Sequence, residues 1–166
     1  MKKYPELDKG KIFRDAKTYY KNVTQRVIGA AHLNFCKKHA GKKLLDFGCA
    51  TGDYCIELEK SGFKCVGADI NEEYIKIAKQ KGVEAYVVKE KLPFANNSFD
   101  TVILIEVLEH TENPGQILEE AKRVAKKNIL VTVPNCEGFE SLREYGLTYA
   151  HFLAVDHKHF FTKDSL

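Results

Sequence analysis

The chain has 166 residues, of which 44% are hydrophobic and 30% charged, and carries a formal net charge of +3. That length suits one domain with a real core, while the small charge and scattered basic pairs (Lys2-Lys3, Lys37-Lys38, Lys42-Lys43, Lys126-Lys127) argue against a nucleic-acid partner. No apolar run approaches the roughly 20 residues of a membrane helix, and "MKKYPELDKGK" lacks a signal-peptide core, so no membrane role and a cytoplasmic compartment are expected.

In chain order, residues 11–40 space their apolar positions as one or two helices that stop before Gly41. "KLLDFG" is a short buried strand, and "GDYCIELEKSG" a helix closed by Gly62. A second strand, "KCVGADI", leads to the helix "NEEYIKIAKQKG", with Asn71 as N-cap and Gly82 at its C-terminal end. "EAYVVK" is the third strand, and the loop "EKLPFANNS" leads to the fourth, "FDTVILIE". "NPGQILEEAKRVAKK" is a helix with Pro114 in its first turn, and "NILVTVPN" is the fifth strand. The five cysteines (Cys36, Cys49, Cys55, Cys65, Cys136) contain no C-x-x-C pair and read as reduced core thiols.

Near-continuous apolar strands that alternate with helices predict an α/β fold, a doubly wound parallel sheet covered on both faces. Ligands of such sheets bind beyond the carboxyl ends of the strands, where strand order reverses. The loop Gly48–Gly52 falls at that edge, as do Asp69 and Ile70 after the second strand and Ile105 and Glu106 after the fourth. "GCATGD" matches neither G-x-G-x-x-G nor the phosphate loop G-x-x-x-x-G-K-[ST], and the acid Asp46 just before it would repel a pyrophosphate but attract an ammonium group. Asp46 read structurally is a polar strand end that turns the chain.

"LLDFGCATG" resembles the first motif of class I S-adenosylmethionine-dependent methyltransferases, an acid followed by G-x-G-x-G. "VGADI" is similar to the second motif, and "KLPFANNSFDTVILIEVLEH" to the third and fourth. The similarity covers residues 41–135 and extends to the closing "DHKHFFTKDSL". It implies a Rossmann-like sheet on which S-adenosylmethionine binds, with S-adenosylhomocysteine as product and a small-molecule methyl acceptor. Residues 1–40 would then be a helical cap, 41–135 the cofactor-binding core and 136–166 the acceptor side, within one domain.

The resemblance also implies roles. Asp46 would meet the methionine ammonium, and Gly48, Cys49, Ala50 and Gly52 would form a loop that lies against the cofactor. Ala50 stands where glycine is usual, so a negative φ is expected there. Asp69 would accept from both ribose hydroxyls, or serve as a helix N-terminal acid, and Ile70 would lie on the adenine. Val88 replaces an acid that relatives often carry, leaving adenine recognition to the backbone around Lys89, to Leu92 (alternatively a loop anchor), or to Glu90; Ile105 completes the set.

A sulfonium is already an activated methyl donor, so the chain has mainly to align it with the acceptor and exclude water. Glu106, Glu109 and His110 are candidate bases, and no catalytic residue is assigned. If "EVLEH" is helical these three share one face, and with His157 they are similar to the metal site of RNA 3′-end 2′-O-methyltransferases and some quinone-biosynthesis O-methyltransferases. The leading reading is metal-free, with the acid and histidine holding loops by hydrogen bonds. A non-catalytic cofactor-binding module is a further alternative. The family's sheet usually has seven strands, so one or two strands are expected to be lacking here, as in a fragment or minimal domain, with an exposed sheet edge that favours a homodimer.

Overall fold

The computed structural model describes residues 28–89, 91–138 and 156–166. Most of the helical segment expected over residues 11–40, Glu90, and residues 139–155 of the acceptor-side segment lie outside these. The elements run α1 (Ala30–His39), β1 (Lys43–Phe47), α2 (Asp53–Lys60), β2 (Lys64–Asp69), α3 (Glu72–Gln80), β3 (Ala85–Val87), β4 (Phe99–Ile105), a 3₁₀ turn (Leu108–His110), α4 (Pro114–Val124) and β5 (Ala125–Thr132). Among the described residues no helix is long and apolar enough to cross a membrane.

All five strands are parallel, in the order β3-β2-β1-β4-β5. Side chains alternate across the sheet because strand geometry has a period of two. Leu44, Cys65, Ile103 and Ile105 therefore pack on one face with Cys36 of α1, Cys55 and Leu58 of α2, and Ile75 and Ala78 of α3. Their chain neighbours Leu45, Val66, Val102 and Leu104 pack on the other face with Ala121 and Val124 of α4. Each fully buried leucine or isoleucine contributes about 1.5–3 kcal/mol of transfer free energy. Winding reverses between β1 and β4, so the loop after β1 and the turn after β4 face each other across the switch point.

Local signals set several ends. Asn71 Oδ1 accepts from Tyr74 N at 3.1 Å and caps α3; Asn113 Oδ1 does the same for Gln116 N in α4, with Pro114 beside it. Gly62 and Gly82 follow α2 and α3 with φ of +83° and +89°, the left-handed turn that ends a helix.

Three expectations need correction. The third strand is only Ala85–Val87. The fourth helix stops at Val124 and β5 begins at once, because Ala125 (φ −78°, ψ 137°) is already extended and pairs with Phe99. "EVLEH" is not a helix: Glu106 has φ +55°, which breaks helical continuation after β4, and only Leu108–His110 form a 3₁₀ turn.

Gly48 carries the contact across the switch point. Its φ is +93°, and a Cβ built there would stand 2.5 Å from Val107 Cγ2. Gly48→Ala is expected to destabilise by about 2–4 kcal/mol, lowering Tm by roughly 5–15 °C. Thermal melts of both single variants and the double variant with Val107→Ala check this. The double should be less destabilised than the sum of the singles by about 1 kcal/mol or more, and strict additivity would contradict the contact.

Candidate functional site

The carboxyl ends of β1, β2 and β4 bring most of the candidate residues to one edge. The first loop is held from below: Ala68 O accepts from Gly48 N (2.7 Å) and Cys49 N (3.1 Å), and Gly52 N donates to Cys49 O (2.9 Å). Gly67 of β2 leaves room for Cys49, whose Sγ would lie 2.7 Å from a Cβ there. Gly52 has φ +77° and faces Val83 and Ala78, so its lack of a side chain serves internal packing, as at Gly48.

Asp69 ties this loop to α3. Its Oδ2 accepts from Ala50 N at 2.8 Å, and its Oδ1 from Asn71 N at 2.9 Å. Each oxygen keeps acceptor capacity beyond that one bond. Ala50 itself has φ +46°, so the negative φ expected from its methyl group is not what the chain adopts. The left-handed conformation costs an alanine about 1–2 kcal/mol, and the bond from Ala50 N to Asp69 holds it there.

Asp46 lies under the loop, 2% exposed. The Cys55 thiol donates to its Oδ2 (3.7 Å), and Cys65 donates to Cys55 Sγ (3.1 Å). Burial first, then the Asp46 charge, pushes the Cys36 thiol up to about 12 and raises Cys49 further. All five cysteines are free and buried.

Ile70 is 71% exposed at the end of β2, and Lys89 is exposed beyond β3. Val88 N donates to Asp69 O (2.9 Å), while the Val88 side chain is buried. Leu92 is buried in the second core cluster and Ile105 in the first.

Two side-chain ties gave no sequence signal specific enough to find. Thr51 Oγ1 donates to Asp53 Oδ2 (2.5 Å), and Lys81 Nζ reaches both Thr51 Oγ1 (3.2 Å) and Asp53 Oδ1 (2.8 Å), fastening the loop to the end of α3. Arg123 pairs with Glu120 and donates to Leu92 O (3.1 Å) and Phe94 O (2.8 Å), while Glu120 Oε1 accepts from Leu92 N (2.7 Å). A charged residue in a helix signals a solvated face as readily as a clamp.

The turn after β4 meets the closing segment. Lys158 N and His159 N donate to Glu109 O (2.7 and 3.2 Å), and His159 Nε2 lies 3.0 Å from Thr111 O. This docking brings Glu109, His110 and His157 together, with one possible ligand atom from each within 4.8 Å of the others. Glu106 is not in that group. Asp156 Oδ2 stands 3.2 Å from His110 Nδ1, and the His110 and His157 rings meet edge to face at 4.6 Å. Burial above all, with the negative charges of Glu106 and Asp156, raises the Glu109 carboxyl to about 7; burial and then His110 lower His157.

Residues 45–132 match the family model described as "Methyltransferase domain". The chain is 30% identical over 123 residues to a ubiquinone biosynthesis O-methyltransferase of Hahella chejuensis, covering 68% of this chain and 51% of that protein. It is 34% identical over 94 residues to norajmaline N-methyltransferase of Rauvolfia serpentina, covering 51% and 32%. The chain thus spans about half the length, or less, of these relatives. Its fold is similar to a SAM-dependent methyltransferase of Methanosarcina mazei, with TM-score 0.64, 22% identity, and coverage of 85% of this chain and 81% of that one.

The Glu109 shift has a defined sign. A carboxyl whose folded pKa lies above its unfolded value loses stability as pH rises between the two, here from about 4.5 to about 7, by up to about 3 kcal/mol. In chelator-treated protein, Glu109→Gln should therefore gain stability relative to the unsubstituted chain between pH 5 and pH 8. Denaturant unfolding at both pH values measures this, and a gap independent of pH would contradict it.

Proposed function

The chain belongs to the methyltransferase-domain family, and we propose that it is an S-adenosylmethionine-dependent methyltransferase acting on a small-molecule acceptor in the cytoplasm. The observation that carries this reading is the group at the switch-point edge. The Asp69 carboxylate is locked beside the glycine loop, the apolar side chain of Ile70 is exposed next to it, and the Asp46 carboxylate is buried beneath. This edge fits the cofactor's chemistry: an acceptor pair for two hydroxyls, an apolar surface for a purine, and an anion for an ammonium group.

In this reading Gly48, Cys49, Ala50 and Gly52 present backbone to the cofactor. Asp69 accepts from the ribose, Ile70 and the backbone at Lys89 flank the adenine, and Leu92 and Ile105 back the pocket from the core. S-adenosylmethionine, when bound, supplies a methyl group already activated on a sulfonium. The chain's own task is to orient the acceptor and exclude water; in this reading the turn after β4 and the closing segment docked on it take that part. Residues 1–40 would cap the site and 136–166 line its acceptor side. Among the described residues β5 is paired on one side only, an edge that supports self-association.

Calorimetric titration with S-adenosylmethionine and S-adenosylhomocysteine tests the site. Micromolar binding is expected, weakened 10-fold or more in Asp69→Ala, since charge-assisted hydrogen bonds are worth about 1.5–3 kcal/mol each. Transfer of a labelled methyl group to any acceptor separates an enzyme from a binding module. Absence of heat and of thermal stabilisation with both ligands would overturn the proposal.

A further inference from the structure

In sequence the pairs Lys37-Lys38, Lys42-Lys43 and Lys126-Lys127 stand far apart, and the fold gathers them at one end of the sheet. Helices that connect parallel strands run back against them, so helix C-termini and strand starts share an end. Lys37 and Lys38 lie in the last turn of α1, Lys43 opens β1 beside Lys64 of β2, and Lys126 and Lys127 lie at the start of β5. Lys64 N donates to Lys42 O (2.8 Å), and Asn128 Nδ2 of β5 donates to His39 O (3.0 Å) at the end of α1. Lys37, Lys38, Lys42, Lys43, Lys64 and Lys126 are all exposed, and among the described residues none of them is in an ion pair. The acids near this end are mostly engaged. Asp100 accepts from Lys43 N (3.1 Å) and faces Lys127 Nζ (3.3 Å), Glu57 pairs with Lys60, and Glu84 accepts from the Tyr86 hydroxyl, which leaves Glu59.

Like charges gathered without counter-ions repel one another and oppose folding. The helix dipole accounts for Lys37 and Lys38 in the last turn of α1, but it gives no reason for Lys42, Lys43 and Lys64 at the starts of strands. We propose that this end of the sheet docks on an anionic membrane surface, its lysines meeting phospholipid headgroups. Clusters of about 4–8 basic residues are what anionic lipid surfaces attract. No arginine joins the six, and two rings at this end lie under ammonium groups, Phe63 at 5.2 Å from Lys42 Nζ and Phe99 at 4.9 Å from Lys43 Nζ. The group thus offers neither a guanidinium fork nor an open ring for base stacking, the features by which nucleic acids are gripped. A membrane senses charge only within about 10 Å at moderate salt, so acids at the far ends of the strands and helices, such as Asp53, Glu72 and Glu73, do not oppose docking. The formal net charge of +3 is therefore no obstacle. This surface lies opposite the carboxyl-end edge and stands independently of what binds there.

The test is co-sedimentation of the full chain with vesicles of phosphatidylcholine alone and of phosphatidylcholine mixed with phosphatidylserine. Binding is expected to the mixed vesicles only, and to be lost as salt rises from about 0.05 M to about 0.5 M. Lys43→Glu/Lys64→Glu should weaken it about 10-fold or more. Lys37→Glu/Lys38→Glu, on the exposed last turn of α1, should do the same without touching the sheet. Lys43→Arg/Lys64→Arg keeps the charge and should bind like the parent. Lys76→Glu/Lys163→Glu makes an equal change of net charge at exposed positions elsewhere and should leave binding intact. No binding to the mixed vesicles, undiminished binding in both reversal variants, or an equal loss in Lys76→Glu/Lys163→Glu would overturn the proposal. So would tighter binding to duplex RNA than to the mixed vesicles at the same salt.

Discussion

Asp69 is the tie on which this edge of the molecule depends. One carboxylate accepts from Ala50 N on the loop after β1 and from Asn71 N at the start of α3. A parallel sheet brings the ends of neighbouring strands together without joining them, because each strand hands its chain to a different helix. Asp69 closes that gap at the carboxyl end of β2 and holds Ala50 left-handed. Hydrogen bonds of a carboxylate to backbone N–H groups contribute about 1.5–3 kcal/mol each, enough to offset the strain of one alanine.

The rest of the site follows from the same geometry. Period-two strands divide the core between two faces, and the loops after β1 and β4 meet at the switch point. Gly48 and Val107 meet across it, and Glu106, left-handed like Ala50 and Asn97, sits directly beyond β4. Strained non-glycine residues thus occur on both sides of the edge where ligands of such sheets bind, the places where folds commonly store strain for function.

Much of this was legible in the chain because the signals are local. Buried strands announce themselves as apolar runs, Asn71 as an N-cap, and Gly62 and Gly82 as helix ends. The loop "GCATG" and the acids at Asp46 and Asp69 lie at one sheet edge because all three sit at or just past the ends of apolar strands. The start of β5 was misplaced because "VAKKN" has no helix stop, and pairing of Ala125 with Phe99, a tertiary event, ends the helix. Spacing within "EVLEH" grouped Glu106 with Glu109 and His110, whereas the backbone reversal at Glu106 leaves it outside the Glu109, His110 and His157 group. The Arg123–Glu120 clamp and the Thr51–Asp53–Lys81 tie join residues about 30 apart, and no periodicity encodes them.

In the proposed reading the loop after β1 and the end of β2 together form the cofactor site. The most direct measurement is a map of backbone amide chemical shifts on addition of S-adenosylhomocysteine. Saturable shifts are expected at Gly48 to Gly52 and at Asp69 to Asn71, with the outer strand β5 little changed. Saturable shifts confined to other surfaces, or none at these amides at millimolar ligand, would contradict it.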